Sequence, residues 1–575
     1  MTSARVQAHP RSWVDESRIV YGCCLAIMLL SGILILRNVP LWYDETAYYV
    51  NIRDASWREL LFGLPFYDQA APFGYSAVLK TIQAAFGMNE ILLRLPSLLG
   101  WASIAIVASR FPGLSALERA LFCILIVSSS VIFEYSTYMK HYVWEFFFLL
   151  LVVSQNIPES PVYRRPVFRT LCLLIASVFS FQVAIVIAAV GLTVAVREAL
   201  PILARGIAGS GGQGARLLTR ERIRDVSIAL MPLVFITVVE VAKYVLVTKG
   251  ASAIILTNYR YAVDFGYLDR QGVLEFYAVQ MFAIFWYHFV EVPVSMVVLL
   301  ASLFLGMAIA IYRRRTVSIA FFMLLAVAIA LNAAGFYPLL PGRFTLLLAL
   351  PLAFFMALGM AEVAGRLGPR FRIAAVAGIA ILCTAGPVLM AMRPLGQHTR
   401  QLLAVARSQL NATSAPASAV LLTVGSQPLV DAYFGPFGDR TACVVSLPGM
   451  LGWTNRCAIL RRPGKDAGFV GSDTPWFIVN DIGHAMFGLP IRHVDASTVA
   501  RWTADYADFL FRQACTVPDA VVLVSHFRRS FIPQLEDRFA RAGTLRLESD
   551  ETRRTDGRSG DGIVLRWRRT RDCDG

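Results

Sequence analysis

Long apolar stretches recur along this chain as far as residue 392, and they restrict its fold more than any motif does. They lie at 19–39, 92–109, 117–133, 142–156, 170–180, 182–196, 225–247, 291–312, 316–333, 344–363 and 373–392. Most approach the roughly 20 residues that an α-helix needs to cross a hydrocarbon core about 30 Å thick. Lipid offers the backbone no hydrogen-bond partner, so helices that satisfy their own peptide groups are the structures such runs can adopt. Of the 575 residues, 56% are hydrophobic and 16% charged, against about 25% charged in soluble domains. The expected fold class is a polytopic α-helical membrane protein of about eleven spans, followed by a small extracytoplasmic α/β C-terminal domain.

The N-terminal residues are polar, with Arg5, Arg11 and Arg18. The run after them is longer than a signal-peptide core and has no clear small-residue cleavage site, so it reads as a retained first span. The fifth and sixth apolar runs, around "ASVFSFQVAIVIAAVG", are short. They are either one long helix or two helices that meet at a break near Ser180 and Phe181. The positive-inside bias decides for the break. With it, one face collects the N-terminal arginines, Arg110 and Arg119, "YRRPVFR" at 163–169, Arg197 through Arg224, "RRR" at 313–315, and Arg366, Arg370 and Arg372. That face is expected to be cytoplasmic, and it accounts for much of the net charge of +15 without a nucleic-acid partner. The expected location is the inner (plasma) membrane, with the N-terminus cytoplasmic and the C-terminal domain extracytoplasmic or periplasmic.

The opposite face receives residues 40–91, a turn at 134–141, residues 248–290, a turn at 334–343, and the tail. In the first of these, "SWRELLFGL" and "YSAVLKTIQAAFG" read as one-sided helices of the kind that lie along a membrane interface. Two domains are expected: 1–392, including the first extracytoplasmic loop 40–91, and 393–575. The tail has strand-like runs at 419–425, 475–481, 520–527 and 562–568. It also has helix-like runs "HTRQLLAVARSQL" and "FIPQLEDRFARAG", an α/β alternation. Of the nine cysteines, Cys23, Cys24, Cys123, Cys172 and Cys383 lie in apolar runs. Cys443, Cys457, Cys515 and Cys573 lie in the tail, where an extracytoplasmic location would permit disulfides.

Several patterns carry little weight. "GSGGQG" at 209–214 has the glycine spacing of a dinucleotide loop, but no strand feeds it. "NAT" at 411–413 is a three-residue sequon match. His141, His288 and His484 show no ligand spacing. Glu240 and Lys243, three residues apart in one run, can pair on a helix face; such charges mark either a functional site or an interfacial ion pair.

"LWYDETAY" at 41–48 places Asp44 and Glu45 just where the first span leaves the lipid. Asp44 could cap a helix beginning near Glu45, with Trp42 and Tyr43 in an aromatic belt. A carboxylate at the mouth of a span can also serve as a general base. The residues downstream favour the second role. Residues 64–100 run through an aromatic segment, a proline turn with tyrosine (Pro72, Tyr75), an amphipathic helix, "FGMNE" and "RLPSLL". Together with the preceding "DE", this resembles the first extracytoplasmic loop of the polyprenyl-phosphate-sugar-dependent GT-C glycosyltransferases. That family includes protein O-mannosyltransferases and the aminoarabinose transferases that modify lipid A. "YSTYMKHY" (135–142) resembles the family's second extracytoplasmic turn, and "FYPLLPGRFTLLLALP" (336–351) its Tyr-Pro…Arg segment before a late span. The resemblance covers roughly 20–395. It departs from the family at Ala70-Ala71-Pro72, where the aminoarabinose transferases have Lys-Pro-Pro, and at Tyr138, where the second turn usually has an acid. Glu134 lies one helical turn earlier.

The resemblance implies a membrane glycosyltransferase. A sugar would pass from a polyprenyl-phosphate donor to a glycan, lipid or protein acceptor of the cell envelope, with inversion at the anomeric carbon. It implies Asp44 as base, with Glu45 supporting it or holding a sugar hydroxyl. Lys140 and Arg343 are candidates for the leaving phosphate, against a role as snorkelling interface cations. Tyr75, Tyr142 and Tyr337 are candidates to line the sugar or lipid pocket, and Arg94 to hold the loop at the membrane boundary. The membrane lipid and the lipid-linked sugar phosphate are the expected partners. Adjacent carboxylates are hard oxygen ligands for a divalent metal, but no second compact ligand set accompanies them. No obligatory metal or other cofactor is expected. The competing class is a lipid or solute transporter or flippase, which would favour internal repeats and polar groups near the midplane.

Overall fold

The computed structural model describes residues 11–41, 43–62, 64–65, 70–199, 220–243, 272–290, 293–313, 315–339 and 341–392, then strands and scattered positions between 419 and 569. The glycine-rich run 209–214, "NAT", His484, Trp42, residues 248–271 and "HTRQLLAVARSQL" lie outside the described residues. The chain forms two compact units. One comprises Met1–Asn38, Ala71–Lys249 and Gly266–Met392; the other comprises Val39–Ala70, Gly250–Phe265 and Arg393–Gly575.

The first unit is helical. In chain order the described helices of the whole protein are α1 (Arg11–Leu36), α2 (Tyr43–Asp54), α3 (Trp57–Phe62), α4 (Phe73–Phe86), α5 (Glu90–Ser109), α6 (Ala116–Val127), α7 (Ser130–Ser136), α8 (Tyr142–Gln155), α9 (Pro166–Phe179) and α10 (Val183–Val194). They continue with α11 (Arg220–Lys243), α12 (Val273–Phe289), α13 (Pro293–Arg313), α14 (Thr316–Ala333), α15 (Leu346–Arg366) and α16 (Pro369–Met392). The described parts of the eleven apolar runs overlap these helices. Among the described residues, six helices are long and apolar enough to cross a membrane, and the pair α6 and α7, bent by 61°, makes a seventh candidate. The protein is a multi-pass α-helical membrane protein. Hydropathy puts 273–289 inside an extracytoplasmic segment; it folds as α12, whose apolar character is interrupted by Glu275, Gln280 and His288.

α15 is the central helix. Every residue from Leu346 to Met360 is buried, as expected of a helix that is apolar all round. It meets α13 backbone to backbone. A Cβ added at Gly306 would overlap the carbonyl oxygen of Phe355, and one at Gly359 would overlap that of Ser302. Without a hydrophobic drive between helices in lipid, such small-residue contacts hold the pair together by close packing.

The basic clusters gather at one end of this unit. Arg313 bridges Glu118 at 3.1 Å and Glu362 at 2.6 Å, and Arg315 reaches Glu118 at 3.0 Å. Arg372 meets the buried Glu16 at 2.5 Å, and Arg197 meets Glu159 at 3.7 Å. The last contact requires α10 to return to the end where α9 began, so the chain does break between them. Ser180 is extended there, with φ −143° and ψ 138°.

Helix lengths add a constraint that hydropathy did not show. α8 and α9 have 14 residues each, and the apolar helix Val183–Arg197 has 15. At 1.5 Å per residue, 14 residues rise about 21 Å, against about 30 Å of hydrocarbon. Exposed Arg164 and Arg165 anchor the basic end of α9 in water. These helices are therefore shorter than a full crossing, and the Ser180–Gln182 turn lies at the end of α9 opposite those arginines.

The second unit is described by itself. α2 is buried, Asp44, Glu45, Thr46 and Asn51 included. Its end is held by Arg53, which makes a two-pronged contact with Asp54 at 2.8 Å and donates to the Ala432 carbonyl at 3.4 Å. α3 opens with a reciprocal cap: Ser56 N–H donates to Glu59 Oε2 at 2.7 Å, and Glu59 N–H donates to Ser56 Oγ at 3.2 Å. Trp57, Leu61 and Phe62 of α3 are exposed.

The tail contains β1 (Ala419–Thr423), β2 (Arg440–Val444), β3 (Arg456–Leu460), β4 (Trp476–Val479), β5 (Asp519–Phe527), β6 (Gly543–Leu547) and β7 (Asp561–Arg569). β4, β1, β5, β7 and β6 form one sheet in that order, and β2 pairs with β3. The β1–β4 and β1–β5 pairs are parallel, and β7 is antiparallel to both of its neighbours. Parallel neighbours demand crossover connections, which suits the alternation read from sequence. All four expected strands are present. β2, β3 and β6, each five residues long, were not foreseen. Cys515 is disulfide-bonded.

The α13–α15 contact yields a test. Gly306→Ala should destabilise the helical unit by about 1–3 kcal/mol through overpacking, seen as a lower unfolding midpoint in detergent. Gly378→Ala, where an added Cβ meets nothing within 4 Å, should be neutral.

Candidate active site

The carboxylates open α2. Asp44 and Glu45 both sit in its first turn, where the exposed N–H groups and the helix dipole favour negative charge. Asp44 is 9% exposed and Glu45 fully buried. A segment reading "YDETAYYVNIRD" is too polar to be buried for hydrophobic reasons alone. Its burial places two acids where water is scarce.

The cationic and aromatic candidates lie in the other unit, where the structure brings them together. Arg343 begins a single turn of 3₁₀ helix, Arg343–Thr345, after Gly342 at φ 108°. That φ favours glycine, and a Cβ there would also press on the Tyr287 ring at 3.3 Å. The guanidinium lies 5.8 Å from the centroid of the Tyr142 ring and 5.1 Å from that of Phe344, within cation–π range. Tyr337 donates its hydroxyl to the Phe344 carbonyl, which ties the turn down. Tyr142 packs against Tyr135 at 4.6 Å and against His141 at 4.2 Å between centroids.

Lys140 is buried, two residues before Tyr142. Its backbone carbonyl accepts from Ser97 Oγ at 3.2 Å, and Ser97 Oγ is 2.8 Å from the Tyr75 hydroxyl. Tyr75 itself is fully buried. It acts as a strut from α4 through α5 to the Lys140 turn. Trp144 reinforces the same joint, donating from Nε1 to the Pro96 carbonyl at 2.7 Å, with its ring over Gly100. At the position where the family pattern has an acid, the Tyr138 hydroxyl donates to Glu134 Oε1 at 3.2 Å. An acidic group therefore reaches that turn from one helical turn earlier.

Sequence reasoning overlooked Ser97, Glu145 and Gln182. Glu145 accepts on Oε1 from Ser180 Oγ at 3.2 Å, from Phe181 N–H at 2.9 Å and from Gln182 N–H at 2.9 Å. Its other oxygen lies 3.8 Å from His141 Nε2. Gln182 Nε2 donates to the Arg343 carbonyl at 3.4 Å. The missed signal was available, because Glu145 is the one acid in α8 and a lone carboxylate in an apolar run invites a functional explanation. Arg94 is buried on α5. His141 and His288 are buried, and His288 Nδ1 lies 3.2 Å from Ser129 Oγ. Among the described residues, no group of three or more His, Cys, Asp or Glu is placed to hold a metal ion. The acids best suited to a hard cation remain Asp44 and Glu45.

No protein-family model matches the sequence, and no curated protein matches it. Solved structures do resemble the folded chain. ArnT from Cupriavidus metallidurans bound to undecaprenyl phosphate has 11% identity and a TM-score of 0.46, over 94% of this chain and 97% of that one. Its apo state scores 0.44 over the same shares, also at 11% identity. The Archaeoglobus fulgidus oligosaccharyltransferase complexed with zinc and sulfate has 12% identity and a TM-score of 0.43, over 92% of this chain and 72% of that one. At such identities the chemistry has to come from this chain's own residues.

Burial, and then the Glu145 carboxylate, push the Tyr337 phenol well above its usual range. The hydroxyl therefore stays protonated and donating throughout pH 6–9. A raised phenol favours the fold below the unfolded value near 10, and that contribution fades only as pH climbs past it. Tyr337→Phe should cost about 1 kcal/mol, because it leaves the half-buried Phe344 carbonyl without its donor. The cost, measured by thermal unfolding, should be the same at pH 6.5 and pH 8.5.

Proposed function

We propose that this protein is a membrane glycosyltransferase that moves a sugar from a polyprenyl-phosphate donor to a hydroxyl of an envelope glycan, lipid or protein. The observation that carries the proposal is the seating of Arg343. A cation is fixed on a strained glycine turn, flanked by aromatic faces and tied down by Tyr337, at the ends of short apolar helices. A phosphate attached to a long hydrocarbon needs that combination of a fixed positive charge and direct access from lipid. The buried Lys140 supplies a second cation.

In the proposed reaction the acceptor oxygen forms a bond to the anomeric carbon. The bond from that carbon to the phosphate oxygen breaks, and polyprenyl phosphate departs with the electron pair. Lys140 and Arg343 stabilise the charge that grows on the phosphate. Asp44 takes the acceptor proton, and Glu45 supports it or holds a sugar hydroxyl. Attack opposite the leaving group inverts the anomeric centre. Tyr142 lines the phosphate end, while Tyr75 and Tyr337 act by holding the turns that carry Lys140 and Arg343. A divalent metal is not required by this scheme. If one takes part, Asp44 and Glu45 are the residues to hold it.

The same proposal sets the topology. The end of the helical unit that gathers the arginines faces the cytoplasm, and residues 393–575 form an extracytoplasmic domain, where the disulfide at Cys515 is sustainable.

The test is release of polyprenyl phosphate from polyprenyl-phosphate sugars by purified protein supplied with envelope acceptors. Asp44→Asn should lower turnover by about 10²–10⁴-fold, the usual worth of a positioned base, with an unchanged unfolding midpoint. Lys140→Ala and Arg343→Ala should raise the donor KM while leaving the acceptor KM alone. Full turnover by Asp44→Asn would remove it as base. A wild-type protein that translocates the lipid without cleaving it would put the chain among the transporters.

A further inference from the structure

The proposed chemistry makes no use of Glu145, Glu240 or Lys243, three charges set in apolar helices. Charges in such helices are costly and are retained where they do something. All three converge on the break between α9 and α10.

A break opens backbone groups that a continuous helix would have satisfied, and lipid supplies no water to replace those bonds. Here two carbonyls and two N–H groups have charged partners of the appropriate sign. At the C-terminal end of α9, Lys243 Nζ donates to the carbonyls of Ser177 at 2.8 Å and Ser180 at 3.3 Å. Glu240 holds that ammonium at 2.7 Å. At the N-terminal end of α10, Glu145 accepts the N–H groups of Phe181 and Gln182. A cation thus sits at the negative end of one helix dipole and an anion at the positive end of the next. Gln182, fixed between them, reaches the Arg343 carbonyl.

We propose that Glu145, Lys243 and Glu240 are positioning residues that clamp the α9–α10 break from both sides, and that Gln182 transmits this fixed backbone to the Arg343 turn. The role as a donor-site support rests on the function proposed above; the clamping of the turn does not. A straight helix through 166–197 would need none of these charges. It would also carry position 182 away from Arg343.

The test uses full-length protein in lipid nanodiscs, with hydrogen exchange of the 341–347 peptide and binding of undecaprenyl phosphate as separate readouts. Gln182→Leu removes the side-chain donor and keeps both backbone N–H groups on Glu145, so the fold is preserved. Exchange at 341–347 should accelerate about tenfold, the order expected for one lost hydrogen bond, while peptides from 350–360 exchange as in wild type. Lys243→Met should act in the same direction. Glu145→Gln, which keeps an acceptor oxygen, should stay nearer wild type than Glu145→Leu. The dissociation constant for undecaprenyl phosphate should rise in Gln182→Leu, and adding Gln182→Leu to Arg343→Ala should raise it no further than Arg343→Ala does alone.

Faster exchange in a protein whose wild type does not bind undecaprenyl phosphate would support the clamp and overturn the donor site. Unchanged exchange at 341–347 in Gln182→Leu would overturn the transmission from the clamp to the Arg343 turn, whatever the lipid does. Fully additive losses in the double variant would overturn the link between Gln182 and Arg343.

Discussion

Peptide groups exposed to hydrocarbon must find partners, and this molecule is organised around a place where three helices end too soon. α8, α9 and α10 are each several residues short of a bilayer's thickness. Their shared end carries the polar groups of the α9–α10 turn, and the side chains there are accounted for by the backbone they must satisfy. Glu145 and Lys243 close the turn between α9 and α10, Ser97 closes the Lys140 turn, and Tyr337 closes the Arg343 turn. A lipid carrying a phosphate can approach such an end laterally, with its chain still in the bilayer. Arg343 and Lys140 are the cations it would meet.

The two units handle polarity differently. In the helical unit, charges are admitted singly, each against a dipole end, an aromatic face or an opposite charge. In the other unit, α2 is polar in sequence and buried from Asp44 to Ile52, with two acids in its first turn. Burying such a helix costs more than burying an apolar one of the same length. The cost makes sense if Asp44 and Glu45 are held ready for a substrate, and it is hard to justify for a helix that only fills space.

Much of this was legible in the sequence, because lipid leaves few alternatives to a long apolar run. Helix positions followed from hydropathy. The α9–α10 break followed from arginine placement and is confirmed by the Arg197–Glu159 contact. Lys140, Tyr142, Tyr337 and Arg343 were marked by motif order; Tyr142 and Tyr337 meet the Arg343 turn, and the Lys140 carbonyl meets Ser97. Glu145 and Gln182 escaped because their importance lies in which distant backbone they meet, and no local pattern encodes that. Tyr75 was marked as a pocket residue, and its hydroxyl is spent on Ser97; spacing cannot separate a strut from a lining. In the tail, β2 and β3 drew no reading from sequence, because five-residue strands are made by pairing more than by propensity.

The central claim is that the polar end shared by α8, α9 and α10 receives a polyprenyl phosphate beside Arg343. Photo-crosslinking tests it most directly, using a polyprenyl phosphate with a diazirine in the isoprene unit next to the phosphate, on protein in nanodiscs. Label should be recovered on peptides spanning 135–145, 179–183 or 336–346, and excess undecaprenyl phosphate should suppress it. Label confined to other helices, or undiminished by that competitor, would contradict the account.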